Sequence, residues 1–147
     1  MAAVKVSTLR ARIATAVDAV TGFSEAKAPY GMFLRDPATT LHKRFAVGPG
    51  SSDPPPSRQR VSEDLPVSTQ FAIAYAFRLA PKDLVTSLDD ALDAEQDIIQ
   101  AVMAQNTTLW ANATITYAAV AKREVTAIGE WYTGEIRLTV NHAIPLS

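Results

Sequence analysis

Between Val67 and Leu79 the chain alternates with period two. Val67, Phe71, Ile73, Tyr75, Phe77 and Leu79 hold odd positions, and Ser68, Gln70, Ala72, Ala74, Ala76 and Arg78 hold even ones. Period two over about thirteen residues predicts a long strand with one apolar face and one face of small side chains. The same alternation recurs from 131 to 144, with Tyr132, Ile136, Leu138 and Val140 on one side and Thr133, Glu135, Arg137 and Thr139 on the other. Weaker versions predict strands over 110–120 (WANATITYAAV) and 41–47 (LHKRFAV), the latter with Phe45 and Val47 sharing a face. A short strand over 30–35 is compatible with the segment between the breakers Pro29 and Pro37.

Two stretches follow helical spacing instead. From Ser7 to Val20 the apolar residues Leu9, Ile13, Ala16, Val17 and Val20 recur on one face, with Ser7 placed to cap the helix and Gly22 to stop it. The stronger helix covers 83–104, where Leu84, Leu88, Ala91, Leu92, Ile98, Ile99, Val102 and Met103 form one stripe. The order of helix, two or three strands, helix and two strands favours an α+β fold. It predicts an antiparallel or mixed sheet of four to five strands with both amphipathic helices packed on one face.

One segment does not fit that frame. Residues 48–60, GPGSSDPPPSRQR, contain no aliphatic or aromatic side chain beyond proline and cannot bury enough apolar area to offset the entropy of ordering. They predict a long mobile loop within one domain spanning 1–147. The run Pro54 to Pro56 makes that loop stiffer than a Gly/Ser tether.

Composition narrows the function classes. The chain has 147 residues, room for one domain with a core of its own. Fourteen basic and fifteen acidic residues give a formal charge of −1, so no general attraction to nucleic acid or anionic membrane is expected. The absence of cysteine excludes thiol catalysis, Cys-ligated zinc and disulfides. No window approaches the roughly 18 continuous apolar residues of a membrane span, and the first residues lack the apolar run of a signal peptide. The Asn-x-Thr matches at Asn106 and Asn112 are then chance matches rather than glycosylation sites.

Chemistry-bearing residues are few. His42 and His142 lie far apart in sequence and have no metal-binding partner at helical spacing. The Gly48-Pro49-Gly50 stretch leads into prolines rather than a helix and is no phosphate cradle. No cofactor or metal is expected. Asp89, Asp93 and Asp97, joined by Asp90, make an acidic ridge that reads as a solvated helix face or one half of a charged interface. Glu95 is different, because it falls within the apolar stripe, where a lone ionised carboxylate is costly. Three roles are open to it. These are a structural partner such as Arg78 or a backbone amide, a basic residue from a neighbouring subunit, and, least favoured, a catalytic carboxylate.

Taken together, LRARIATAV, HKRFAV, the polar loop, TQFAIAYAFRLAPKD, SLDDALDAEQDIIQAV and EWYTGEIRLTVNH resemble, in order and in phrase, the tail terminator proteins of long-tailed bacteriophages and their relatives among minor tail and neck proteins. The resemblance implies a structural virion protein assembled in the host cytoplasm, not an enzyme. It further implies self-assembly into a six-membered ring that caps the tail tube protein, meets a head-side connector or stopper protein, and leaves its bore for DNA passage. The candidate interface residues are Arg58 and Arg60 in the loop and the ridge Asp89, Asp93 and Asp97. That ridge would face basic residues such as Arg10, Arg12, Lys43 or Arg44 of a neighbour. A head-completion or connector role remains open within the same class. A small ligand-binding or enzymatic α+β domain with its pocket under the loop is the alternative from a different class.

Overall fold

The computed structural model describes residues 3–25, 42–53, 64–107, 113–125 and 131–145. In chain order these form helix α1 (Val6–Asp18), strand β1 (Ser24–Glu25), strand β2 (Arg44–Asp53) and strand β3 (Asp64–Arg78). Helix α2 (Leu84–Met103), a short 3-10 segment (Ala104–Thr107), strand β4 (Thr114–Val125) and strand β5 (Trp131–Pro145) follow. The sheet order is β1-β2-β3-β5-β4, with β1 parallel to β2 and every other pair antiparallel. This is the α+β fold that the periodicities predict, with five strands in a mixed sheet.

The centre of the sheet is the β3–β5 pair, unbroken from Asp64↔Pro145 to Arg78↔Trp131. Its register sets Phe71 against Leu138 and Ile73 against Ile136, so the two alternating apolar sets face the same way. Across them lie Leu9, Ile13 and Val17 of α1 and Ala91, Ile98 and Val102 of α2, all buried in one cluster with Phe45 and Val47 of β2. Burying each large aliphatic or aromatic side chain contributes about 1.5–3 kcal/mol. Matching the two helical stripes to one sheet face therefore outweighs the propensity of any single residue.

Several boundaries differ from expectation. Helix α1 begins at Val6 with Lys5 as its N-cap and no side-chain cap, which places Ser7 inside the first turn. The backbone NH of Val4 bonds Ala143 O at 2.8 Å, and this tie to β5 sets where the chain enters the helix. Gly22 does mark the turn after α1, with φ at +83°, a conformation that side chains with a Cβ rarely adopt. The polar segment is not a loop from its start. β2 continues through residues 48–53 and, after an irregularity between Pro49 and Ser52, pairs Ser52 with Thr69 and Asp53 with Ser68. A backbone ladder needs no apolar side chains, and β3 is long enough to template the extension. The rest of the expected loop, 54–60, and the short strand over 30–35 lie outside the described residues. β1, two residues long, was not anticipated.

Leu84 departs from the apolar stripe and is 44% exposed. Glu95 packs over Tyr75, three residues from the end of β3, whereas Leu84 precedes Glu95 by eleven helical residues, roughly 16 Å. The first turn of α2 therefore overhangs the sheet. β4 runs past residue 120 to Val125, and its ladder with β5 contains two register shifts, at Tyr117/Ala119 and Val120/Lys122. Together they move Arg123 from the level of Tyr132 to that of Gly134, giving a row of Tyr75, Gly134 and Arg123 across three strands.

Gly134 is required at that crossing. A Cβ there would lie 2.6 Å from Cζ of Tyr75, and Tyr75 is fully buried and held at its hydroxyl. Gly134→Ala should destabilise the fold by about 1–3 kcal/mol, the usual range for overpacking a filled core. Urea unfolding of the two forms measures it, and an unchanged midpoint would contradict the tight crossing.

Candidate functional site

The strongest convergence of polar groups surrounds Glu95 of α2, which is 2% exposed. Its Oε1 accepts from Nε and Nη2 of Arg123 at 3.0 and 2.7 Å, a two-pronged contact from β4. Its Oε2 accepts from the hydroxyls of Tyr75 on β3 and Tyr132 on β5, the latter at 2.9 Å. One carboxylate thus ties the helix to three adjacent strands. Arg78, the partner suggested by the sequence, is exposed and does not reach it. Its backbone NH bonds Nδ1 of His42 at 3.0 Å instead. Arg123 was missed because strict alternation gives no sign of the two bulges that bring it to this row.

The electrostatics are those of a clamp. Burial raises the carboxyl's pKa, yet the hydrogen bonds from Arg123, Tyr75 and Tyr132 outweigh that effect and hold it below the ordinary carboxylate range. Burial, reinforced by the bond to Glu95, pushes the Tyr75 hydroxyl well above its usual range. Glu95 is therefore charged and Tyr75 protonated at neutral pH. Neither is poised to exchange a proton there.

The two histidines occupy separate ends of the sheet. His42 adjoins Arg78 and stands edge-on to Phe77, with ring centroids 4.7 Å apart. His142 pairs with Val67, eleven residues earlier on β3, or roughly 36 Å away along a strand. His142 is 3% exposed, and its Nε2 meets Thr69 Oγ1 at 2.7 Å, which in turn meets Ser52 Oγ at 2.8 Å. Its Nδ1 has no hydrogen-bond partner. Burial lowers the pKa of this imidazole, against a smaller opposing effect of the Ala143 and Val4 backbone. Among the described residues, no group of three or more His, Asp or Glu is placed to hold a metal ion. No helix among them is long and apolar enough to cross a membrane.

The expected interface residues are dispersed. Asp89, Asp93 and Asp97 are exposed along α2, as the ridge requires. Arg10 pairs within the chain to Glu25 at 3.0 Å, Arg12 is half-buried on α1, Arg44 opens β2, and Arg58 and Arg60 lie outside the described residues. Only Lys43 and Asp97 come together, as linings of a cleft of about 470 Å³ between the C-terminal parts of α1 and α2. Val20, Phe23, Ala94 and Ala101 supply much of its apolar wall. Lys43, in the left-handed region with φ at 55°, sends Nζ to within 3.4 Å of Thr21 O and 5.8 Å from the ring centroids of both Phe23 and Phe77. Asn106 also has a structural task, as its amide exchanges two hydrogen bonds with the backbone of Ile115, at 2.7 and 2.8 Å, fastening the end of α2 to β4.

No protein-family model and no curated protein matches the chain.

Two predictions follow from the clamp and the buried imidazole. Glu95→Ala removes the shared acceptor of two tyrosine hydroxyls and leaves a void, and should cost about 3 kcal/mol. Arg123→Ala leaves the buried carboxylate without its counter-charge and should cost about 1–3 kcal/mol, the lower end reflecting an arginine that is 54% exposed. Denaturant midpoints measure both, and a negligible loss in either variant would refute the clamp. In acid, the lowered pKa of Glu95 means that its stabilising contribution is complete above the ordinary value of 4.5 and is lost as pH falls toward the folded value. The lowered pKa of His142 has the same sign, with losses starting as pH falls below 6.5. His142→Gln should reduce the loss just below pH 6.5 to the share of His42, whose pKa burial also lowers, and Glu95→Gln should flatten the profile below pH 4.5. Thermal melts across that range provide the check.

Proposed function

We propose that this chain is a structural ring subunit of the tail or neck of a long-tailed phage, capping the tail tube and joining it to a head-side connector. The observation that carries the reading is a small-residue sheet face, centred on Gln70 and Ala72, that neither helix covers. On the helix side, the described buried side chains form one continuous core, and Glu95 is used in holding it together. On the opposite side of β3, Ser68, Ala72 and Ala74 are half-buried and Gln70 exposed, beside Gly48 of β2 and Thr133 and Thr139 of β5, while Ala76, Ala46 and Trp131 at one end of the same face are buried. Neither α1 nor α2 covers this face.

Small side chains on a broad sheet let another surface approach closely and give up little side-chain entropy on contact. That suits a subunit stacked against a tube rim or a neighbouring subunit. The fold class agrees with the one implied by the resemblance to tail terminators. The acidic ridge of α2 adds a second surface, unlike the first, as a closed ring of head-to-tail contacts requires.

Purified protein, alone and mixed with isolated tail tubes, should give closed rings in electron micrographs, free or seated on tube ends. Substituting Ala74 with Arg on the open face should abolish tube capping while leaving the melting temperature within a few degrees. A wild-type protein that stays monomeric and ignores tubes would overturn the reading.

A further inference from the structure

Among the described residues, two features at opposite ends of α2 are left unfilled by apolar packing. At its start, Leu84 and Val85 are 44% and 74% exposed. Val85 is neither packed in the core nor favoured by helix propensity, because β-branching restricts its rotamers there. At the other end lies the cleft of about 470 Å³, with Val20 and Phe23 on one wall, Ala94 and Ala101 on the other, and Lys43 and Asp97 among its linings. The alanines of α2 are what keep the cleft open.

We propose that Leu84 and Val85 of one copy insert into this cleft of the next copy, forming the head-to-tail contact of the ring; the inference rests on the ring reading and assigns its contact. The two halves match in character. The projecting pair is aliphatic and the cleft wall is mostly apolar. Lys82 and Asp83, both exposed, immediately precede the pair, and the cleft offers Asp97 and Lys43 as partners of opposite sign. Such flanking charges set register and encounter rate more than affinity. Sixteen residues separate Val85 from Ala101, roughly 24 Å along the helix axis. Because both lie on one straight element, the knob cannot fold back into its own cleft. Two unlike, complementary patches on one molecule make a heterologous contact, which propagates until it closes. Burial of exposed apolar side chains on assembly also explains why they persist on the surface of the free chain.

The test uses one variant for each half. Val85→Asp spoils the knob and leaves the cleft; Ala101→Leu fills the cleft and leaves the knob. Asp97→Lys is a second cleft variant that changes only an exposed side chain. Circular dichroism and melting establish that each variant folds, and native mass spectrometry with sedimentation velocity reads assembly. Each variant alone should associate about tenfold or more weakly than wild type. A mixture of Val85→Asp with Ala101→Leu retains one intact knob and one intact cleft, and should form heterodimers that grow no further. Rings of folded Val85→Asp and Asp97→Lys as abundant as those of wild type would overturn this contact and leave the ring reading standing. A wild-type chain that is monomeric both alone and with tail tubes would overturn both.

Discussion

A single buried carboxylate sets the geometry of this molecule. Glu95 is surrounded by apolar side chains and would be prohibitively costly there if ionised alone. Its charge is tolerated because donors arrive from three strands at once, with two from Arg123 and one from each tyrosine. Each donor imposes a condition. Tyr75 and Tyr132 must face the helix, Gly134 must leave room between Tyr75 and Arg123, and β4 must slip two residues against β5. Hydrophobic burial makes the layers adhere, but it is nondirectional. The carboxylate and its directional bonds select one phase and one height for α2.

That height has consequences at both ends of the helix. Because Glu95 is anchored near the C-terminal end of β3, the first turn of α2 overhangs the sheet and leaves Leu84 and Val85 in solvent. The C-terminal half crosses α1 where both helices carry alanine, and small residues there leave a cleft instead of a filled seam. Exposed knob and open cleft are thus two results of one placement. The other buried polar chain, His142 through Thr69 to Ser52, similarly secures the far end of the sheet and extends β2 beyond its apolar residues.

These internal commitments bear on function. The carboxylate and the buried imidazole with the most distinctive environments are used within the fold, while Gln70 of the small-residue sheet face, the acidic ridge and the first turn of α2 face outward. Chemistry of this kind fits assembly, in which broad surfaces and modest charge patterns specify partners. The chain's balanced charge is compatible with the proposed ring, since closely packed subunits gain from avoiding strong mutual repulsion.

Local periodicity alone determined the two helices and the cores of the four long strands. The alternation through Phe71, Ile73 and Tyr75, and the stripe through Ala91, Ile98 and Val102, are properties of neighbouring residues on a backbone of known repeat, so the strand, the helix and the layer order were legible. The position of Glu95 on the apolar side of α2 was legible for the same reason. Its partner was not. Arg123 reaches Glu95 only through two bulges in β4, and bulges answer to cross-strand register and space at Gly134, which join residues far apart in the chain. The extension of β2 through Ser52 is a similar case, because backbone pairing with β3 supplied what its side chains could not. Tertiary structure also decided which apolar positions stayed exposed. A helical stripe includes Leu84, but burial depends on whether a sheet lies beneath that turn, and only the packed arrangement determines where the sheet ends.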